Sequence, residues 1–175
     1  YYVLRSGKVC VTKRSKIGVN GFVSPRFLKE ISILKHLMNP PDNLKNHPGR
    51  NHIVKMTDVY VLDDYLHFDM EAADGTLITL KNTTNLNVIK EQILIDISNA
   101  LQYIHAMNID HLDISLNNIM FKRMRRDDQN PQQMYRFILI DFGNAIYNSR
   151  PFSIERSTLY FMSSEMIDNV MELEE

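Results

Sequence analysis

Several residue types are scarce in this chain of 175 residues, and each shortage excludes a class of protein. With a single cysteine, Cys10, the chain cannot hold an internal disulfide framework, and we expect an intracellular location in the cytoplasm or nucleus. The net charge is −1, so no bulk attraction to nucleic acid or to an acidic membrane surface is expected. No apolar run approaches the roughly 18 residues of a membrane-spanning helix, and we expect neither a membrane anchor nor a signal peptide.

The remaining composition is that of a globular protein. Apolar residues make up 44% of the chain and charged residues 23%, which is enough apolar surface for a core and argues against global disorder. By length alone, the chain predicts one domain or two small lobes.

The first part of the chain is rich in strand patterns. Two short strands flank a turn at Gly7, and a helix is predicted from Pro25, with Ser24 as its N-cap and Pro40 at its end. Residues 53–62 and 65–70 then read as a β-hairpin with Asp63 in its turn.

The composition changes from strand-like to helix-like near residues 71–75. We therefore predict two parts, residues 1–73 and residues 74–175. In the second part, apolar residues recur at helical spacing over residues 85–107, which predicts a long, partly buried helix. Two short apolar strands follow, joined by a polar connection. This connection either contacts phosphate groups through its basic residues or is an exposed hairpin loop. The basic residues are Lys122, Arg123, Arg125, Arg126 and Arg136.

Three polar residues lie near the ends of these two strands in the sequence. Asn118 directly precedes the first strand and Asp141 directly follows the second, so a hairpin would bring them together. An amide oxygen and a carboxylate are hard ligands suited to Mg²⁺, which also keeps waters and substrate phosphates. Asp113 would lie a few residues away, where it could orient a hydroxyl and accept its proton. Such a site performs phosphoryl transfer by positioning and charge neutralisation.

The same residues resemble the motifs of eukaryotic-type protein kinases. Residues 111–118, H-L-D-I-S-L-N-N, resemble the catalytic loop H-R-D-L-x-x-x-N, and residues 141–143 are D-F-G. The element A-P-E resembles S-S-E at residues 163–165, and Thr158 matches the threonine typical of serine/threonine-directed kinases. The strand motif V-A-I-K resembles C-V-T-K, which ends at Lys13, and Glu30 follows on a helix.

The resemblance implies an α+β, bilobal protein-kinase-like fold with a small β-rich N-terminal lobe and a helical C-terminal lobe. It implies that Lys13 contacts the ATP phosphates and is held by Glu30. It also implies that Asp113 is the catalytic base, while Asn118 and Asp141 bind Mg²⁺. Met70 would be the gatekeeper, and the backbone of Glu71 and Ala73 in the hinge would hydrogen-bond the adenine. Met120 would pack beneath the adenine ring. The residues of an internal packing spine would be Leu34, Met56, His111 and Phe142.

The chain departs from the family pattern at several positions. Leu112 replaces the usual arginine of the catalytic loop, and Ser115 replaces a lysine that contacts the transferred phosphate. No glycine-rich loop is present and the sequence stops ten residues after Glu165, so we expect a partial kinase domain, cut at both ends. This reduced motif set is reminiscent of kinases from large DNA viruses, in which case the protein would act in the host cell.

These observations support a protein kinase that transfers the γ-phosphoryl group of ATP to a protein hydroxyl, on serine or threonine. The departures at Leu112 and Ser115 and the missing glycine-rich loop favour an alternative, a pseudokinase that acts as a binding or scaffold module. A small-molecule kinase is a third hypothesis, which the peptide-docking segment from Thr158 to Glu165 disfavours.

Overall fold

A computed structural model of the chain describes residues 2–5, 7–81, 86–124 and 135–147. The described part contains nine strands and three α-helices. In chain order they are β1 (Tyr2–Arg5), β2 (Lys8–Lys16), α1 (Pro25–Met38), β3 (Met56–Leu62), β4 (Tyr65–Glu71), β5 (Gly75–Thr76), α2 (Leu77–Lys81), α3 (Leu86–Ala106), β6 (Ile109–Asp110), β7 (Ile119–Arg123), β8 (Tyr135–Leu139) and β9 (Ile146–Tyr147).

The first four strands form an antiparallel sheet in the order β1-β2-β4-β3. The predicted hairpin is β3–β4, and its turn residues Asp63 and Asp64 have φ angles of 48° and 60°. Positive φ at both central residues matches the right-handed twist of the strands, and aspartate tolerates it better than most residues. The register pairs Lys13 on β2 with Phe68 on β4, which fixes where the lysine leaves the sheet.

Helix α1 packs against this sheet. It starts at Pro25 and ends at Met38, as its sequence signals predict, although the Ser24 side chain makes no capping hydrogen bond. Ile33 and Leu34 are fully buried, and the rings of Phe27 and Phe68 lie 5.1 Å apart, so α1 is held on β4 by apolar contacts.

Helix α3 forms the centre of the second half. Its buried side chains include Ile97, Ala100 and Ile104, at the helical spacing that the sequence predicts. The carboxylate of Asp96, which is 2% exposed, accepts a hydrogen bond of 2.9 Å from the backbone N–H of Phe137. This bond ties α3 to β8, so the strand that precedes Asp141 is fixed on a rigid helix.

Two small sheets complete the described structure. One has the order β5-β7-β8, and the other pairs β6 with β9. Helices and mainly antiparallel strands are thus both present, as the α+β prediction requires. Within the described residues, no helix is both long and apolar enough to cross a membrane.

Candidate active site

The hairpin of β7 and β8 brings Asn118 and Asp141 to neighbouring strand ends. Ile119 pairs with Leu139, and the backbone N–H of Ile140 donates a 2.9 Å hydrogen bond to the carbonyl of Asn118. Asp141 is the next residue along that strand. The structure therefore places the two residues as the sequence spacing predicts.

His111 anchors the loop that carries Asp113. Its ring is 2% exposed; Nε2 lies 2.8 Å from the carbonyl of Ile140, and Nδ1 lies 3.3 Å from the backbone N of Asp113. Because a carbonyl only accepts, Nε2 carries the proton and Nδ1 accepts from Asp113. Burial lowers the pKa of His111, which keeps the ring neutral. With both nitrogens occupied, His111 is a structural support rather than a base.

Asn118 reinforces the same loop. Its side-chain Nδ2 donates a 2.9 Å hydrogen bond to the backbone carbonyl of Asp113. This bond fixes which end of the amide faces the loop and leaves the amide oxygen as the end available to a cation. Asp113 and Asn118 are consequently held as one unit.

Asn144 is a contact of Asp113 that our sequence reasoning missed. Its Nδ2 donates a 3.1 Å hydrogen bond to Oδ2 of Asp113, while its own Oδ1 is buried without a hydrogen-bond partner among the described residues. An unsatisfied buried acceptor is costly, so an amide at this position is not explained by stability alone. The available signal was an amide residue directly after D-F-G.

Lys13 lies between two carboxylates. Its Nζ is 2.6 Å from Oε1 of Glu30 on α1 and 3.5 Å from Oδ1 of Asp141. The Glu30 side chain is 6% exposed, and burial raises its pKa although Lys13 opposes this effect. The ammonium group of Lys13 on β2 thus links α1 to the end of β8.

The backbone around Asp141 is held in an uncommon conformation. Asp141 has a φ angle of 62°, and its Oδ1 accepts a 3.2 Å hydrogen bond from the N–H of Gly143. A Cβ on Gly143 would lie 2.7 Å from Nε of Arg26, so a larger residue here would require the Arg26 side chain to shift. Phe142 is fully buried, and its ring lies 4.8 Å from the ring of His111, which is one contact of the expected spine.

An open cavity of about 260 Å³ lies beside this group and is lined by Lys13, Arg26, Glu30 and Asp141, with Arg14 at its side. Cations and carboxylates therefore meet at one solvent-accessible place. This combination can hold a phosphate chain through the cations and a metal ion through a carboxylate.

The oxygen donors at the strand ends determine whether the expected magnesium ion fits there. No group of three or more His, Cys, Asp or Glu side chains suited to a metal occurs in the described residues. Mg²⁺, however, needs only one or two protein carboxylates when water and phosphates supply the other oxygens. The carboxylate of Asp141 and the amide oxygen of Asn118 fit that requirement.

The residues expected around adenine lie at the end of β4 and on β7. Met70 is 6% exposed and pairs with Val11 on β2, while Ala73 and Met120 are half-buried. The backbone N–H of Glu71 donates to the carbonyl of Lys55 over 2.9 Å and is therefore not available to a ligand.

The side chain of Glu71 makes contacts that the sequence did not predict. Its Oε2 lies 2.5 Å from Nζ of Lys122 and 3.3 Å from Nη2 of Arg136. Two of the basic residues that were candidates for phosphate contact are thus paired with a carboxylate. Arg123, a third candidate, is exposed at the end of β7. Arg125 and Arg126, together with Thr158 and the S-S-E segment at 163–165, lie outside the described residues.

Comparison with known proteins relates the chain to protein kinases. The family model "Protein kinase domain" matches residues 4–174. The serine/threonine-protein kinase ULK3 of Xenopus laevis is 30% identical over 164 residues, which cover 90% of this chain and 30% of that protein. Calcium-dependent protein kinase 3 of Plasmodium yoelii yoelii is 26% identical over 126 residues, which cover 70% of this chain and 20% of that protein.

A solved structure has the same fold. The crystal structure of the kinase domain of PF14_0431 superposes with a TM-score of 0.69 at 23% identity, covering 94% of this chain and 52% of that one. This confirms the α+β, protein-kinase-like fold. Because the family model spans nearly all of the sequence, the chain belongs to the protein kinase domain family.

Proposed function

We propose that the protein transfers the γ-phosphoryl group of ATP to a serine or threonine hydroxyl of a protein substrate. The observation that carries the proposal is the position of Lys13, whose Nζ lies 2.6 Å from Glu30 and 3.5 Å from Asp141. A lysine fixed in this way beside a metal-binding carboxylate is what phosphate positioning requires.

Each polar residue has one role in this proposal. Lys13 binds the ATP phosphates, and Glu30 keeps its ammonium group in place. Asn118 and Asp141 would hold Mg²⁺, which neutralises charge on the transferred phosphoryl group when it is bound. Asp113, supported by His111 and Asn144, orients the substrate hydroxyl and takes its proton.

We also propose the division into residues 1–73 and 74–175, with ATP between the two parts. Lys13 and Glu30 belong to the first part, and Asp113 and Asp141 to the second. The adenine would lie against Met70, Ala73 and Met120, and its contact with Glu71 would use the carbonyl, since the N–H is occupied. An intracellular site of action remains part of this proposal.

Specificity for serine or threonine is supported by the names of the relatives, which include serine/threonine-protein kinases. The chain spans about 30% of the length of the ULK3 proteins it matches, so the activity of the whole protein is proposed rather than transferred from them. Thr158 supports the same specificity by motif alone.

The second candidate function is a pseudokinase that binds a partner or a nucleotide without transfer. It is favoured by Ser115, which stands where a phosphate-binding lysine is expected. A missing cation weakens stabilisation of the charge that develops during transfer. The retention of Lys13, Asp113, Asn118 and Asp141 favours catalysis over this alternative.

Phosphate incorporation into a protein substrate in the Asp113→Ala protein distinguishes the two. We expect turnover to fall roughly 10²–10⁴-fold, the range for a positioned general base. Asp42→Ala, which removes a carboxylate that is 93% exposed in its side chain, is the matched control and should leave turnover unchanged. If the unaltered protein is stabilised by Mg-ATP in a thermal-shift assay yet transfers no phosphate, the pseudokinase is correct.

A further inference from the structure

A second cavity, of about 410 Å³, lies between the end of α1, the following loop and α3. It shares no lining residue with the cavity at Lys13. Its apolar floor consists of Leu37, Ile53, Val54 and Tyr103, each exposed by 4% or less. Its volume is within the range of ligand pockets, at the lower end.

The rim of this cavity carries hydrogen-bond donors and positive charge. Lys45, Arg50 and Lys55 line it, together with His47, and no acidic residue does. Nδ1 of His47 accepts a 3.1 Å hydrogen bond from the backbone N–H of Gly49. The neutral ring must therefore carry its proton on Nε2, so His47 is a further donor.

The charges on this rim are largely uncompensated. Arg50 donates to the backbone carbonyls of Lys45 and Met38, and neither acceptor carries a negative charge. Within the described residues, no ion pair joins the side chain of Arg50 or of Lys55 to a carboxylate, although the backbone N–H of Lys55 donates to Oε1 of Glu71 over 3.1 Å. Lys45 pairs with Asp42 over 2.6 Å, but both side chains are exposed, and such a pair contributes little.

The loop that supplies the rim is fixed in place. A Cβ on Gly49 would lie 1.9 Å from the carbonyl oxygen of Asn99, so the loop touches α3 backbone to backbone. The hydroxyl of Tyr103 donates to the carbonyl of Leu37 and ties the end of α1 to the same helix. A rim held by these contacts loses little conformational freedom when a ligand binds.

We infer that this cavity binds a phosphorylated side chain on a peptide segment of a partner protein. A phosphate monoester carries nearly two charges and three acceptor oxygens, which suits a set of cationic donors better than a single carboxylate does. The exposed amides of Asn46 and Asn51 at the rim supply paired donors and acceptors that match a peptide backbone.

The test is a titration of the isotope-labelled protein followed by amide NMR shifts. The probe is the blocked pentapeptide Ala-Ala-phosphoserine-Ala-Ala, and its serine and glutamate versions are the matched ligands. We expect saturable shifts at Gly49 and its neighbours, with phosphopeptide affinity at least roughly tenfold above that of either matched peptide. Inorganic phosphate, as the third ligand, should bind at least roughly tenfold more weakly than the phosphopeptide.

Two substitutions complete the test. Lys55→Glu and Lys45→Glu, both at exposed rim positions, should each weaken phosphopeptide binding roughly tenfold or more. Lys90→Glu replaces an exposed lysine of α3 that does not line the cavity and should leave the affinity unchanged. The inference is overturned by the absence of saturable shifts up to about 10 mM, by equal binding of inorganic phosphate, or by equal weakening in all three variants.

Discussion

In the Asn144→Ala protein, Asp113 loses the amide donor that lies 3.1 Å from its Oδ2. A hydrogen bond to a charged group contributes roughly 1.5–3 kcal/mol. Asp113 is half-buried, so its carboxylate keeps some water and the lower part of that range, about 1.5–2 kcal/mol, applies. If the bond holds the carboxylate in its productive orientation, this loss corresponds to roughly a 10–30-fold fall in kcat.

The same substitution should change the free energy of unfolding much less. Alanine removes the buried Oδ1 of Asn144, which has no partner among the described residues and costs about 1–3 kcal/mol. This gain offsets the lost hydrogen bond, so we expect a net change within about 1 kcal/mol. A catalytic loss with little loss of stability is the signature of a positioning residue.

Steady-state phosphate transfer, measured together with denaturant unfolding, tests this reasoning. We expect kcat to fall while KM for ATP stays within about twofold, because the contact does not touch the nucleotide. Asn144→Asp should be worse than alanine, since it places a second carboxylate beside Asp113. An unchanged kcat in a folded Asn144→Ala protein would refute the positioning role; an inactive unaltered protein would instead refute the proposed function.

Two further predictions concern Glu30 and Gly49. Because burial raises the pKa of Glu30, the Lys13–Glu30 ion pair should be lost on acidification at a pH above 4.5, and Mg-ATP affinity should fall with it, whereas Glu30→Gln should bind weakly at every pH. Relative to the Glu30→Gln protein, the free energy of unfolding should decrease as the pH rises from about 4.5 through the raised pKa of Glu30, because the folded state binds more protons than the unfolded state in that range. Calorimetry at several pH values measures both the Mg-ATP affinity and the free energy of unfolding. Gly49→Ala should destabilise the chain by roughly 3 kcal/mol in urea unfolding, because its Cβ would lie 1.9 Å from the carbonyl of Asn99, whereas Gly18→Ala, with its nearest contact at 3.5 Å, should cost less than about 1 kcal/mol.

The sequence predicted the elements whose signals are local. Helix α1 starts at Pro25 because proline suits the first helical turn, and α3 follows the apolar spacing of its own residues. The β3–β4 turn lies at Asp63 and Asp64, as two aspartates between strand patterns indicate. The proximity of Lys13 and Glu30 could be expected only from the family resemblance, because nothing local relates residues 17 positions apart.

Other features depend on tertiary contacts and had no local signal. The pairing of Glu71 with Lys122 and Arg136 joins residues 51 and 65 positions apart. The same is true of Gly49, whose need for glycine comes from the backbone of α3 and not from its own φ angle. The roles of the site residues, the division at residue 73 and a viral source remain predictions.

The Glu71 cluster has a consequence for the response of the molecule to ionic strength. One carboxylate joins the four-stranded sheet, through β4, to the three-stranded sheet, through β7 and β8. These side chains are 15–26% exposed, so dissolved ions reach them and screen part of their attraction. Added salt should therefore loosen the junction between the two sheets before it affects the apolar core, and the backbone proposed to contact adenine lies at that junction.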